Sequence, residues 1–310
     1  MRMIRQPISN RRRWILGILS VIILLGGYTW LSHRQHVKNP KDVTIPSWSQ
    51  LAEGWQKITR INPRIIEQRE RYVTIKERRY DVLEGETVEQ AQARWQAEAE
   101  EKYEGEIPLI ADSYATFRRF LIALAATTVI SFVLGIGMGG FRSIDALFTP
   151  SLTFIGKIPP TASLAVFFAI LGTSENLYTG LIIFGTLPIL ATSVMLVAQA
   201  VPSEEINKAY TIGASHAEVI WNVIVRQVFP SFLDAVRLTI GPIMVYLIAA
   251  EMLAADAGMG YRIRLQLKIT EMDVTYIYLV VLAAFGFGMD LALRLTQRIC
   301  CPWFKEGAKP

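Results

Sequence analysis

Six apolar runs decide what this chain can become. Trp14–Leu31, Phe120–Gly140, Leu152–Leu171, Tyr178–Val201, Val236–Ala255 and Tyr276–Leu293 each approach the ~20 residues that a helix needs to cross bilayer hydrocarbon. Lipid offers no partner to backbone N–H and C=O groups, so such a run must close its own hydrogen bonds as a helix. The expected fold class is therefore an all-α polytopic membrane protein with six transmembrane helices. The distribution of charge agrees: 28 of the 59 charged residues lie between Arg34 and Asp112, and 52% of all 310 residues are hydrophobic. One long polar segment thus separates the first run from the second.

Orientation follows from the basic residues. Met1–Arg13 carries Arg2, Arg5, Arg11, Arg12 and Arg13 ahead of the first run. A basic start before an apolar core also describes a cleaved signal peptide. The run is 18 residues long, however, and Trp30-Leu31-Ser32-His33 makes a poor cleavage site. The reading is a retained first helix with its N-terminus inside. Alternation then puts both termini in the cytoplasm and the polar segment outside, as a long periplasmic insertion between helices 1 and 2. Arg142, Arg294, Arg298 and Lys305 fall inside, whereas Arg118, Arg119, Arg262, Arg264 and Lys268 fall outside, against the positive-inside bias. The net charge of +5 is spread over termini and loops, so it reports topology rather than nucleic-acid binding. Four divisions result: 1–32 as N-terminus and first helix, 33–113 as the external segment, 114–298 as a five-helix core with a cytoplasmic loop at 202–231, and 299–310 as a cytoplasmic tail.

Within the polar segment, Asn39-Pro40 and Pro46 mark turns, and Ser47–Trp55 reads as a capped amphipathic helix. Tyr72–Leu83 has the β-branched and aromatic content of a strand. Thr87-Val88-Glu89-Gln90 is a capping box that opens a charged helix to about Tyr103, stopped by Gly105 and Pro108. In the second span, Gly135-Ile136-Gly137-Met138-Gly139-Gly140 contains a Gly-x-x-x-Gly, which lets helices approach closely within the chain or between copies.

Enzyme chemistry finds no support. The two cysteines, Cys300 and Cys301, are adjacent and give neither a disulfide framework nor a zinc pattern. His33, His36 and His216 form no metal set, and Gly-Lys-Ser/Thr phosphate loops and nucleophile elbows are absent. No bound cofactor is expected on this chain.

Three stretches remain: GKIPPTASLAVFFAILG, PSEEINKAYTIGAS and EMLAADAGMGYRI. Together they resemble the permease subunit of binding-protein-dependent ABC importers, in the nitrate, sulfonate and taurine group. The likeness covers roughly Asp112–Arg298, with a short match at Ile45-Pro46-Ser47 and the helix after it; Arg60–Gly105 has no counterpart. The family's cytoplasmic signature is Glu-Ala-Ala, three residues, Gly, nine residues, an aliphatic residue, one residue and Leu-Pro. With Gly213 as its glycine, Asn207, Lys208 and Ala209 occupy the Glu-Ala-Ala positions and Val223 the aliphatic one. Arg226 stands where the first proline belongs, and Pro230 matches a second proline common in this group. The resemblance implies a pore built by two copies, two cytoplasmic ATPase subunits that hold ATP-Mg, a periplasmic solute-binding protein, and a bacterial inner membrane. It implies a small anion or zwitterion such as nitrate, sulfonate or taurine as cargo.

The residues argue for the loop independently. Motion of a soluble motor has to enter lipid-embedded helices through a compact polar element. Two short helices joined at Gly213 suit this, because glycine accepts the positive φ of a sharp turn; Ala209 and Ala214 are small enough for close approach, and Ser215 belongs to the same loop. Pro159 and Pro160 remove two backbone donors beside Lys157, and broken helices of this kind line transport paths. Lys157 there either attracts an anion or extends to the headgroups. Glu251, an ionisable residue inside a span, is a candidate for the pathway or a structural carboxylate that pairs with Lys157 or Arg237 or caps the Ala254–Gly260 turn. Asp234 and Arg237 are expected to pair locally at i,i+3. The rival to the transport reading is an ATP-independent channel or scaffold whose external arm binds a partner.

Overall fold

The computed structural model describes residues 9–40, 42–60, 63–78, 83, 87–102 and 107–304. Among them every regular element is helical. The expected Arg2, Arg5, Gly105 and Lys305 features lie outside the described residues.

Helix α1 (Asn10–Lys38) stands apart from the bundle, with Trp14, Ile15, Leu24 and most of its apolar run exposed. Exposed apolar side chains around a whole helix mean a lipid environment rather than water. Its last turns meet the chain again through the Tyr28 hydroxyl, which donates to Pro46 O at 2.6 Å, and Ser32 Oγ, which donates to the same carbonyl at 3.1 Å.

Helix α2 (Trp48–Thr59) begins at a complete capping box between Ser47 and Gln50. Its buried Gly54 sits so close to the core that an added Cβ would lie 2.9 Å from Ile277 Cδ1. Helices α3 (Pro63–Arg78) and α4 (Val88–Lys102) form a hairpin that buries Ala91, Trp95 and Ala99 along one stripe of α4. The expected strand at Tyr72–Leu83 is corrected here: Tyr72–Arg78 is the second half of α3, and 79–82 lie outside the described residues. The Tyr72 hydroxyl donates to Glu98 Oε2 at 3.1 Å, and Lys102 Nζ stands 4.8 Å from the Tyr72 ring centre. Packing against a partner helix thus overrides the β-propensity of a Tyr-Val-Thr-Ile run.

The core is built on α5 (Pro108–Gly140) and α8 (Glu175–Gln199). A Cβ at Gly135 would stand 2.5 Å from Val194 Cβ, and one at Gly139 2.4 Å from Ala198 Cβ. The Gly-x-x-x-Gly is therefore spent within the chain, letting α5 and α8 touch backbone to side chain.

The third apolar run is not one straight span. Helices α6 (Arg142–Ile155) and α7 (Pro160–Leu171) meet at 95° across Gly156–Pro159. At 1.5 Å per residue they are about 21 and 18 Å long, each short of ~30 Å of hydrocarbon. The bend has a local cause. Pro159 and Pro160 offer no amide hydrogen, and the Pro160 ring fits against Gly185, whose Cβ would lie 2.7 Å from Pro160 Cγ.

After α9 (Ser203–Thr211), α10 (His216–Val219) runs through a π turn at Ile220–Ile224 into α11 (Val225–Ala254). Helix α12 (Met259–Ile269) and α13 (Met272–Cys300) complete the chain. Among the described residues, five helical stretches are long and apolar enough to cross a membrane, six if the bent α6–α7 pair is counted as one span. The bundle has two ends, one carrying α2 and α12, the other carrying α9.

Candidate functional site

At the α9 end the chain makes a projecting turn. Pro202 opens α9, Glu204 and Glu205 occupy its first turn, and Lys208 its last, as the helix dipole favours. None of its residues is buried. Gly213 has φ +90°, a region closed to β-branched side chains, with open space where a Cβ would be. Gly213 N donates to Tyr210 O at 3.0 Å and Ala214 N to Ala209 O at 3.1 Å, closing α9. Ser215 restarts the helix through a capping box, its Oγ accepting from Glu218 N at 3.4 Å and its own N–H donating to Glu218 Oε2 at 2.8 Å. Tyr210 and His216 span the turn: the Tyr210 hydroxyl and His216 Nδ1 share a 2.8 Å hydrogen bond, with the rings edge to face.

The residues that sequence reasoning assigned to this loop fall into two groups. Asn207, Lys208, Gly213 and Ser215 are exposed on the turn, with Ala209 and Ala214 half-buried beside them. Val223 and Pro230 are not part of the projecting turn. Val223 lies in the π segment against the core, and Pro230 is buried inside α11, where Gln297 Nε2 donates to its carbonyl at 2.9 Å. The second half of the expected loop 202–231 is thus the start of a helix continuous from His216 to Ala254, because the capping box at Ser215 launches it directly. Between the turn and the α5–α6 elbow lies a cavity of about 770 Å³, bordered by Arg142, Asp145, Tyr210 and His216 among others.

At the opposite end five helices, α5, α8, α11, α12 and α13, converge on a buried polar cluster. Asp112, Thr116 and Arg119 project from α5 at i, i+4 and i+7, hence from one face. Glu251, fully buried on α11, accepts from Arg119 Nη1 at 3.0 Å, from the Thr116 hydroxyl at 2.9 Å, and from Gly260 N at 2.9 Å. Gly258 and Gly260 make this cradle possible. Gly258 has φ +126°, and a Cβ there would lie 2.7 Å from the Glu251 carboxyl carbon; one at Gly260 would lie 2.7 Å from Glu251 Cβ. Arg119 continues to Glu175 on α8 (Nη2–Oε1 3.0 Å) and to Ala257 O at 2.7 Å, and its guanidinium lies 4.3 Å from the Tyr178 ring centre. Asp112 accepts from Arg262 Nε at 2.8 Å, from the Tyr278 hydroxyl at 2.8 Å and from Gly258 N at 3.2 Å. Burial alone would depress the Arg262 guanidinium, yet the Asp112 carboxylate beside it holds its pKa above the usual arginine value.

Glu251 therefore caps the 254–260 turn, as one expectation had it, but its ion pair is with Arg119 rather than with Lys157 or Arg237. Arg237 lies further along α11, where it bonds Asp234 at 2.8 Å, as expected, and also Asp290 of α13 at 2.7 Å. Lys157, Pro159 and Pro160 lie at the α6–α7 bend, Lys157 and Pro159 exposed and Pro160 half-buried against α8. Sequence reasoning missed Arg119, Asp112 and Thr116 as partners. Their signal was present: three polar residues on one face of an apolar helix.

The chain has relatives among known proteins. The model for the binding-protein-dependent transport system inner membrane component matches residues 121–299. The taurine transport system permease protein TauC of Escherichia coli is 31% identical over 195 residues, which span 62% of this chain and 70% of that protein. The nitrate import permease protein NrtB of Synechocystis is 25% identical over 48% of this chain and 54% of its own length. Among solved structures, a chain of the methionine ABC transporter MetNI in inward-facing conformations has a TM-score of 0.49 at 15% identity, covering 63% of this chain and 98% of that one. The chain belongs to the family of inner-membrane components of binding-protein-dependent transport systems, as a multi-pass ABC importer permease of the nitrate, sulfonate and taurine group.

Proposed function

We propose that this chain forms half of the pore of an ATP-driven importer, pairing with a second copy, and that the Gly213 turn is where two cytoplasmic ATPase subunits act on it. One observation carries the reading. The turn projects from the bundle with no buried residue on α9, yet it is joined without a break to the 39-residue helix 216–254. At 1.5 Å per residue that helix is about 58 Å long, and its far end holds Glu251 in the polar cluster. A push on Asn207–Ser215 thus enters a helix that reaches the opposite end of the bundle.

In this reading the termini and the Gly213 turn are cytoplasmic, and residues 33–113 with α12 face the periplasm, where a solute-binding protein delivers cargo. ATP-Mg belongs to the ATPase partner, which binds one pore state better than the other; only such a difference in affinity can move the equilibrium between inward- and outward-open forms. The bend at Lys157–Pro160 borders the path in this reading. The cargo is a small anion or zwitterion, a reading supported by the taurine and nitrate transport named for the relatives.

Co-purification of the ATPase with the permease in lipid nanodiscs tests the docking site. Gly213→Val is expected to release the ATPase while the permease stays folded. Retention of the ATPase at the native ratio would contradict the assignment.

A further inference from the structure

We propose that α2 lies in the headgroup layer of the membrane on the α12 side, with the indoles of Trp48 and Trp55 as its contacts with phospholipid. On a helical wheel of 100° per residue the apolar residues of α2 cover one arc that divides in two. Gly54, Ile58 and Leu51 face the core, with Gly54 and Ile58 buried against α13. Trp55, Trp48 and Ala52 complete the arc and remain exposed, the indoles at 48% and 51%. The opposite arc is polar: Glu53, Gln56 and Lys57 border a cavity of about 690 Å³ shared with Arg262 and Gln266 of α12.

The depth of that exposed face is fixed by α1. Trp48 Nε1 donates to Thr29 Oγ1 at 3.2 Å, and its ring packs edge-on to Tyr28 at 5.4 Å. These α1 residues lie within the last turn of the run that ends at Leu31, so Trp48 stands where hydrocarbon gives way to water. Trp30 is exposed at the same level with the Arg34 guanidinium 5.3 Å from its ring centre, the arrangement of an aromatic ring below a cation that reaches for the surface. Tryptophan has a large apolar body and one N–H, and it partitions to the membrane interface. Trp48 sits directly against the lipid-facing helix α1 and Trp55 lies on the same exposed arc of α2, which makes phospholipid the occupant. Lys57, bonded to Asp273 at 3.0 Å and Glu271 at 3.3 Å, then ties the same helix to the start of α13. A short interfacial helix thereby joins α1 to the core.

The test uses the full permease in nanodiscs of phosphatidylcholine and phosphatidylglycerol, with Trp48 or Trp55 as sole tryptophan and the other six changed to Phe. Fluorescence loss should be large with a headgroup nitroxide, small with a nitroxide near the acyl terminus, and weak with aqueous iodide. Strong iodide quenching without nitroxide quenching would place the face in water. Loss with neither quencher would mean a protein covers it. Either result overturns the proposal. Where six replacements prevent folding, a spin label at A52C in a C300S/C301S background reads the same face. It should be more accessible to oxygen, and less to a nickel chelate, than a label at E53C; equal accessibilities overturn the proposal.

Discussion

Arg119 Nη1 lies 3.0 Å from Glu251 Oε1, and the two side chains are almost wholly withdrawn from solvent. Removing one member of a buried pair leaves an uncompensated charge, at a cost of roughly 3–5 kcal/mol. Arg119→Ala, which strands the fully buried Glu251, should therefore lower the thermal stability of the purified permease markedly, and Glu251→Ala should lower it less, because Glu175 stays 3.0 Å from Arg119. The double variant should be less destabilised than the sum of the two, since neither charge is then stranded. Additive losses would mean that the 3.0 Å contact carries no coupling.

The α5–α8 contact makes a sharper prediction, because neighbouring glycines serve as controls. Gly139→Ala sets a methyl 2.4 Å from Ala198 Cβ, whereas Gly140→Ala meets nothing within 4 Å. Overpacking costs about 1–3 kcal/mol. Thermal unfolding in detergent should show Gly139→Ala well below the parent and Gly140→Ala at or slightly above it, since alanine favours the helix. The reverse order would refute the packing assigned to α5 and α8.

The α3–α4 hairpin should respond to acid. Hydrogen bonding from Arg94, then from Tyr72, with the nearby charge of Lys76, holds the Glu98 carboxyl below the usual glutamate value. A carboxylate with a lowered folded-state pKa adds stability above its unfolded value of ~4.3, and that contribution disappears as pH falls through the folded value. Amide protection around Trp95, taken relative to the intrinsic exchange rate at the same pH, should accordingly be high near neutrality and fall below pH ~4, and Glu98→Gln should remove that acid sensitivity. An unchanged pH profile in Glu98→Gln would exclude Glu98 as its source.

Much of this architecture is legible in the order of residues. Apolar runs announce the spans, Pro159-Pro160 announces a break, and Ser47 and Thr87 announce helix starts that appear at Trp48 and Val88. What local sequence does not contain is the partner. Tyr72 reads as strand because the helix that packs on it, through Glu98, begins 16 residues later. Arg119 reads as an exception to a charge rule because the carboxylate it neutralises stands 132 positions away. Pro230 looks like the end of a loop, yet α11 absorbs it, with Gln297 of α13 bonded to its carbonyl. The break at the double proline is a local property, but the Gly185 against which Pro160 seats stands 25 positions away on α8.

In the proposed coupling, force enters this permease through the backbone geometry of Gly213. With φ at +90° and open space around it, a side chain there would clash with nothing but its own backbone. Gly213→Val therefore acts through the backbone of the turn, its Cβ meeting nothing within 4 Å. The decisive measurement is the ATPase rate of the assembled complex in nanodiscs, with and without loaded solute-binding protein. The account predicts that the parent complex is stimulated by the loaded protein and that Gly213→Val abolishes the stimulation. Undiminished stimulation in Gly213→Val would contradict it.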